Sequence, residues 1–342
     1  MTNYALDWKK SVKLRDLPYG VFISKFMKAP SFYSIEKVDG QLGALVYREG
    51  KSSFFQSTGG GIVSDIPAIY EYETILKRAG IKQAILIGDL VAMKFGTVLP
   101  FNQTESIVKR FHVTENKPLI HHFLFDVYSF DRKRIKDYRQ ALSILGKYFD
   151  RKKLVNINIP KIAYGDIRIF RKLYVDTKDS PGFDGVVVRL VDGKNYKVKY
   201  TANVDLVVIG AGHERLPSWP RKQVSYLLTS FIDSKGIFRT SSKVGTGFTA
   251  SERSFFFKYI NERSLYDENG EIFIRPEMII QVKYYRVRIT KTPAYRFTKD
   301  RYEAVGDELS ATLSHPSFER IREDKKPTKF DVRLEQIPSF EE

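Results

Sequence analysis

The chain has 342 residues, 42% of them hydrophobic and 14% aromatic, a formal net charge of +17 and no cysteine. That apolar content excludes wholesale disorder, and at this length it favours two domains. The lack of cysteine excludes disulfides, thiol nucleophiles and thiolate metal sites, while the charge excess points to a polyanionic partner such as nucleic acid.

The first ten residues are polar with no apolar core of signal-peptide type. No stretch is long and apolar enough to span a bilayer, so a soluble, cytoplasmic protein is expected. The five histidines show no zinc spacing. From Ser31 to about Gly61 the pattern is strand-like, with turns at Gly40 and at Glu49-Gly50. Pro67 to Ala79 fits a helix with proline in its first turn and Gly80 past its end. Strands follow at Ala84–Ile87, running into Gly88-Asp89-Leu90-Val91, and at His122–Val127. Ile135 to Phe149 has helical apolar spacing. Residues 184–191 and 196–200 read as strands paired across a turn at 192–195, and valines 204, 207 and 208 continue the β pattern to Gly210. Two prolines in 212–220 mark a domain boundary. Beyond it, short strands at Tyr226–Ile232, Gly236–Arg239 and Ile279–Tyr285 suit a small barrel of OB type.

Chemistry concentrates at a few places. Lys37 sits in Ser34-Ile35-Glu36-Lys37-Val38-Asp39-Gly40, at a strand-to-turn corner. A lysine ammonium with its usual pKa of about 10.4 is no nucleophile, but desolvation or neighbouring cations favour the neutral amine. Lys197 and Lys199, placed by β alternation on one strand face, are the candidates to supply those cations. In isolation, Lys-x-Asp-Gly is more often a surface β-turn. Phe125 lies in an apolar strand, where a phenylalanine is usually core; the other reading is an aromatic that stacks on a purine. Asp184, at the head of Asp184-Gly185-Val186-Val187-Val188, reads as a turn acid or as a magnesium ligand. Gly59-Gly60-Gly61 lacks the Lys-Ser/Thr of a P-loop.

In this fixed order the segments resemble the covalent nucleotidyltransferase superfamily, most closely the ATP-dependent DNA ligases, from about Ser31 to Pro327. The resemblance implies an α+β fold: a nucleotidyltransferase domain of ATP-grasp-like antiparallel sheets with helices over 1–214, followed by a small β-barrel OB-fold domain over 215–342. Lys37-Val38-Asp39-Gly40 is similar to the nucleophile motif, whose lysine forms a phosphoramidate with AMP, and Glu36, Asp39 and Gly40 are implied to flank the nucleotide. Gly88-Asp89-Leu90-Val91 is similar to the segment whose acid contacts the ribose. Phe125 matches the purine-stacking aromatic, Asp184 the acid that binds Mg²⁺ or Mn²⁺, and Lys197 and Lys199 the lysines near the α-phosphate. Lys243 to Thr249 and Arg320 to Pro327 are similar to the OB domain. There Arg322, Asp324 and Lys325 are implied to reach over the pyrophosphate when the domain closes during lysine adenylylation.

Some positions depart from the family. Leu42 stands where arginine is usual, the arginine expected around Ser57-Thr58-Gly59 is missing, and Asp89 and Asp184 replace the commoner glutamate. The Glu36-Lys37 pair resembles some RNA ligases. With 36 residues before Lys37, a minimal two-domain form is expected. The implied activity is ATP-dependent, AMP-forming sealing of 5′-phosphate/3′-hydroxyl nicks in duplex DNA by a monomer, as DNA repair and replication require. The alternatives are an RNA or RNA–DNA hybrid ligase, an mRNA capping guanylyltransferase, and a basic OB-fold binding module.

Overall fold

The computed structural model describes residues 8–11, 14–29, 31–178, 180, 182–190, 194–212 and 223–337. The chain divides into two units, 1–200 and 201–342. This is earlier than the expected boundary at 214, for a reason that lies in hydrogen bonding. The strand Ala202–Gly212 pairs along its length with Glu271–Tyr284 and with Tyr226–Ile232, so it belongs to the second unit. Of the proline-bearing segment expected to mark the boundary, residues 213–220 lie outside the described residues, as do 191–193 of the turn expected at 192–195.

The first unit holds two sheets. One runs in the order Arg15–Asp16, Asn195–Lys199, Phe183–Arg189, Phe32–Val38, Ile162–Gly165. Apart from a register shift between Phe183 and Gly185 its strands alternate, and one face packs Phe32, Val186, Val188, Tyr196 and Val198 beneath the helices Tyr19–Phe26 and Ile167–Lys178. Phe22 and Phe170 reach full burial there, worth about 2–3 kcal/mol each. The other face carries Tyr33, Ile35, Lys37, Val187, Arg189, Lys197 and Lys199.

The second sheet has the core order Ile157–Asn158, Ile120–Phe130, Gln83–Lys94, Gln41–Arg48, Phe54–Ser57, Ile62–Val63. The helices Pro67–Arg78 and Tyr138–Tyr148 cover one of its faces through Ile69, Tyr72, Leu76, Ala141 and Leu145. The opposite face presents Ala44, Ile85, Ile87, Leu42 and Phe125. Pairing is antiparallel as expected except at two short edges: Arg15–Asp16 and Ile157–Asn158 join in parallel. The chain passes from the first sheet to the second between Val38 and Gln41, and Lys37 stands at that seam.

The second unit is a curled antiparallel sheet in the core order Ser264–Glu268, Glu271–Tyr284, Ala202–Gly212, Tyr226–Ile232, Phe238–Val244, Arg286–Thr298, Arg301–Ser314. Ser317–Ile321 pairs with Glu271–Tyr284, and a bridge from Thr246 to Ser317 turns the sheet back on itself as a small barrel. The helix Ala250–Glu262, which the strand count did not include, places Phe256 and Ile260 in the barrel core. A capping box starts it: Thr249 Oγ1 accepts from Glu252 N–H, and the Glu252 carboxylate accepts from Thr249 N–H at 2.7 Å.

Candidate active site

Two glycines assemble the site. At Gly40 a Cβ would lie 2.7 Å from the Leu90 carbonyl and 2.8 Å from Asp89 Cβ, so only glycine lets the seam pass against the strand that carries Asp89. Gly185 has φ of +153°, and a Cβ there would meet the Val198 carbonyl at 2.2 Å. It pairs with Lys37 on one side and Lys199 on the other, so the lysines flank a position with no side chain. A register shift between Phe183 and Gly185 breaks the alternation and turns Asp184 toward those lysines.

The result is a buried acid between two amines. Asp184 Oδ1 lies 2.8 Å from Lys37 Nζ, and Oδ2 lies 3.0 Å from Lys199 Nζ. Burial alone would lower the pKa of Lys37, but Asp184, Asp89 and Asp39 outweigh it and raise it. This corrects the expectation that nearby cations favour the neutral amine, because the acids dominate. Lys199 is paired with Asp184, and Lys197 lies 3.0 Å from Asp16. Burial, against the pull of Lys37, pushes Asp89 up to about 7. In Asp184 burial opposes ionisation, and the two lysines override it and lower the pKa.

Glu36, Lys37, Gly40, Asp89, Phe125, Lys197 and Lys199 line a single cavity of about 250 Å³, together with Leu14, Ile35, Leu42, Val187 and Arg189. Asp39 is buried beside Lys37 and donates its backbone N–H to the Gly182 carbonyl. The Glu36 carboxylate accepts from the Lys161 N–H at 2.7 Å, which turns it toward the neighbouring strand. A roomier cavity of about 480 Å³, lined by Tyr33, Tyr128, Tyr138 and Arg134, shares only Arg189 with this one and carries none of the expected residues. Chemistry, not size, selects the smaller.

Among the described residues no group of three or more His, Asp or Glu gathers as a metal cage. A single carboxylate fits a magnesium ion, which keeps waters and phosphate oxygens as its other ligands, and Asp184, set between Lys37 and Lys199, is the acid whose place fits that chemistry. Sequence reasoning missed Arg189, whose position two residues after Val187 on the same strand face was the available signal. Its guanidinium lies 2.8 Å from Asp126 and 4.2 Å from the Tyr138 ring centroid.

Arg322, Asp324 and Lys325 form a separate cluster within the second unit. Asp205 accepts from Arg322 Nη1 at 2.8 Å and from Lys325 Nζ at 2.6 Å, while Asp324 takes the other edge of Arg322 at 2.7 and 2.8 Å. The Arg322 guanidinium holds Asp324 well below the usual carboxylate range.

Comparison with known proteins places the chain among similar sequences and folds. Residues 220–325 match the family described as ATP dependent DNA ligase C terminal region. The chain is 24% identical over 319 residues to DNA ligase 1 of Korarchaeum cryptofilum, covering 86% of this chain and 53% of that protein. It spans about half the length of the curated relatives it matches. The solved structure named Pmar-Lig_Pre superposes with a TM-score of 0.66 at 16% identity, over 91% of this chain and 67% of that one. A Lig E DNA ligase, described as binding DNA with a minimal scaffold, gives a TM-score of 0.55 at 17% identity, over 91% and 100%. These structures share the fold. Over most of its length the chain is thus similar to curated DNA ligases, and its residues 220–325 match the ATP-dependent DNA ligase C-terminal region.

Proposed function

We propose that the protein seals 5′-phosphate/3′-hydroxyl nicks in duplex DNA, using ATP and a covalent lysyl-AMP intermediate on Lys37. The observation that carries this reading is the convergence of Lys37, Lys199 and Asp184 within 3.0 Å contacts, beside a cavity that Phe125 and Asp89 also line.

In the first step Lys37 Nζ bonds to the α-phosphorus of ATP as the bond to pyrophosphate breaks. Nζ is held protonated by three acids, so it must shed a proton to solvent before attack. Lys197 and Lys199 stabilise charge on the transferring group, Phe125 stacks on the purine and Asp89 faces the ribose. Asp184 would hold Mg²⁺ (or Mn²⁺), which would supply charge neutralisation there. Arg322 and Lys325 are assigned to the leaving pyrophosphate, with Asp324 fixing the Arg322 fork. AMP then passes to the 5′-phosphate, and the 3′-hydroxyl displaces it.

The test is incubation with α-labelled ATP or GTP, then a chase with nicked DNA, nicked RNA and hybrids. Label carried by ATP and released by nicked DNA supports the reading. Transfer to RNA alone favours the RNA-ligase alternative, for which the apolar Leu42 at the cavity speaks. GTP labelling points to a guanylyltransferase, and binding without label to a passive module.

A further inference from the structure

The start of the described chain touches both walls of the nucleotide cavity. Trp8 has no exposed surface and packs with Ala44, Ile85 and Ile87 of the second sheet, where Leu42 and Phe125 also pack. Lys9 donates to the Thr58 carbonyl, and Thr58 N–H donates to the Leu42 carbonyl at 3.3 Å. Leu14 lines the cavity itself. Arg15–Asp16 then joins the edge of the first sheet with Asp16 opposite Lys197, and the two side chains lie 3.0 Å apart.

A two-residue parallel edge gains little by itself. A fully buried tryptophan gains far more, and it is placed against the aromatic and the leucine that border the cavity.

We propose that Trp8, Leu14 and Asp16 build a wall of the nucleotide site, in which Leu14 meets the nucleotide while Trp8 positions Phe125 and Asp16 positions Lys197. The proposal rests on the reading of the cavity as the ATP site.

The test uses the full chain with Trp219→Phe, which leaves Trp8 as the sole tryptophan. ATP should change its emission saturably, at the same half-saturating concentration as formation of the labelled adduct. Trp8→Ala and Leu14→Ala should each raise that concentration about tenfold with the maximal rate within about threefold, the signature of lost ground-state binding. Trp8→Phe should recover most of the loss. Asp16→Asn alters a carboxylate whose side chain is 62% exposed, so folding is spared; it should lower the maximal rate about threefold because Lys197 loses its anchor. Thermal midpoints are measured alongside. Unchanged ATP dependence in Leu14→Ala together with an unchanged rate in Asp16→Asn overturns the proposal, as do losses that track only the folded fraction. Failure of the parent protein to label with ATP overturns the nucleotide reading instead.

Discussion

Asp184 and Asp205 are two buried acids, each holding two cations, with side chains equally shielded at 6% exposure. Asp184 holds two lysines, compact ammonium groups on flexible stems, at the rim of a cavity. Asp205 holds an arginine and a lysine, and the arginine's other edge is locked by Asp324. A planar fork held on both edges keeps one orientation, whereas the two lysine amines at Asp184 can turn to an incoming phosphate. Equal burial and equal charge therefore do different things: the first arrangement can exchange its partners, and the second fixes the direction of the Arg322 fork.

Substitutions put that contrast to the proof. The largest effect is expected at Lys37→Ala, which should abolish the covalent nucleotide adduct; label persisting in that variant would remove Lys37 from the mechanism. Next comes Asp205→Ala, which leaves two cations beside a lost acid and should cost about 3–5 kcal/mol of stability. Urea denaturation measures it, and a loss below about 1 kcal/mol would mean Asp205 does not hold the Arg322 fork. Asp184→Asn should slow adduct formation about a hundredfold, close to 2.7 kcal/mol of barrier, with a smaller loss of stability than Asp205→Ala. Should the two variants lose stability equally, the contrast fails.

The smallest effect involves a buried titratable group paired with a phenol rather than an ion. His122 has no exposed surface, its Nδ1 lies 2.6 Å from the Tyr72 hydroxyl, and burial pushes its pKa down to about 3. The unfolded chain takes up a proton there below pH about 6.5 while the folded chain does not, so stability falls as pH drops. Between pH 7 and 5 this group alone should remove about 2 kcal/mol. His122→Gln should flatten that part of the profile, and an unaltered slope would show that the imidazole is protonated in the fold.

Much of this was legible before any coordinates. Lys37, Asp184 and Lys199 stand out in the sequence by order and residue type, and the helix Pro67–Arg78 by its proline and Gly80. What escaped notice was of two kinds. The capping box at Thr249 and Glu252 is written in the residues, within a stretch whose turn signals otherwise favour strands. Asp16, Arg189 and Asp205 left weaker marks, because their roles come from partners that β pairing or a distant strand brings beside them. The charge on Lys37 was unreadable for the same reason: its sign depends on three acids converging across a seam between sheets.

The irregularity between Phe183 and Gly185 acts as a phase shift in the strand. Upstream and downstream residues obey opposite parity, and Asp184 stands at the switch. Deletion of Phe183 would restore a regular ladder, yet it would carry the Asp184 carboxylate to the side occupied by Phe22 and Phe170. The strand can therefore drift in composition but not in length: its residue count is held by where one carboxylate must point.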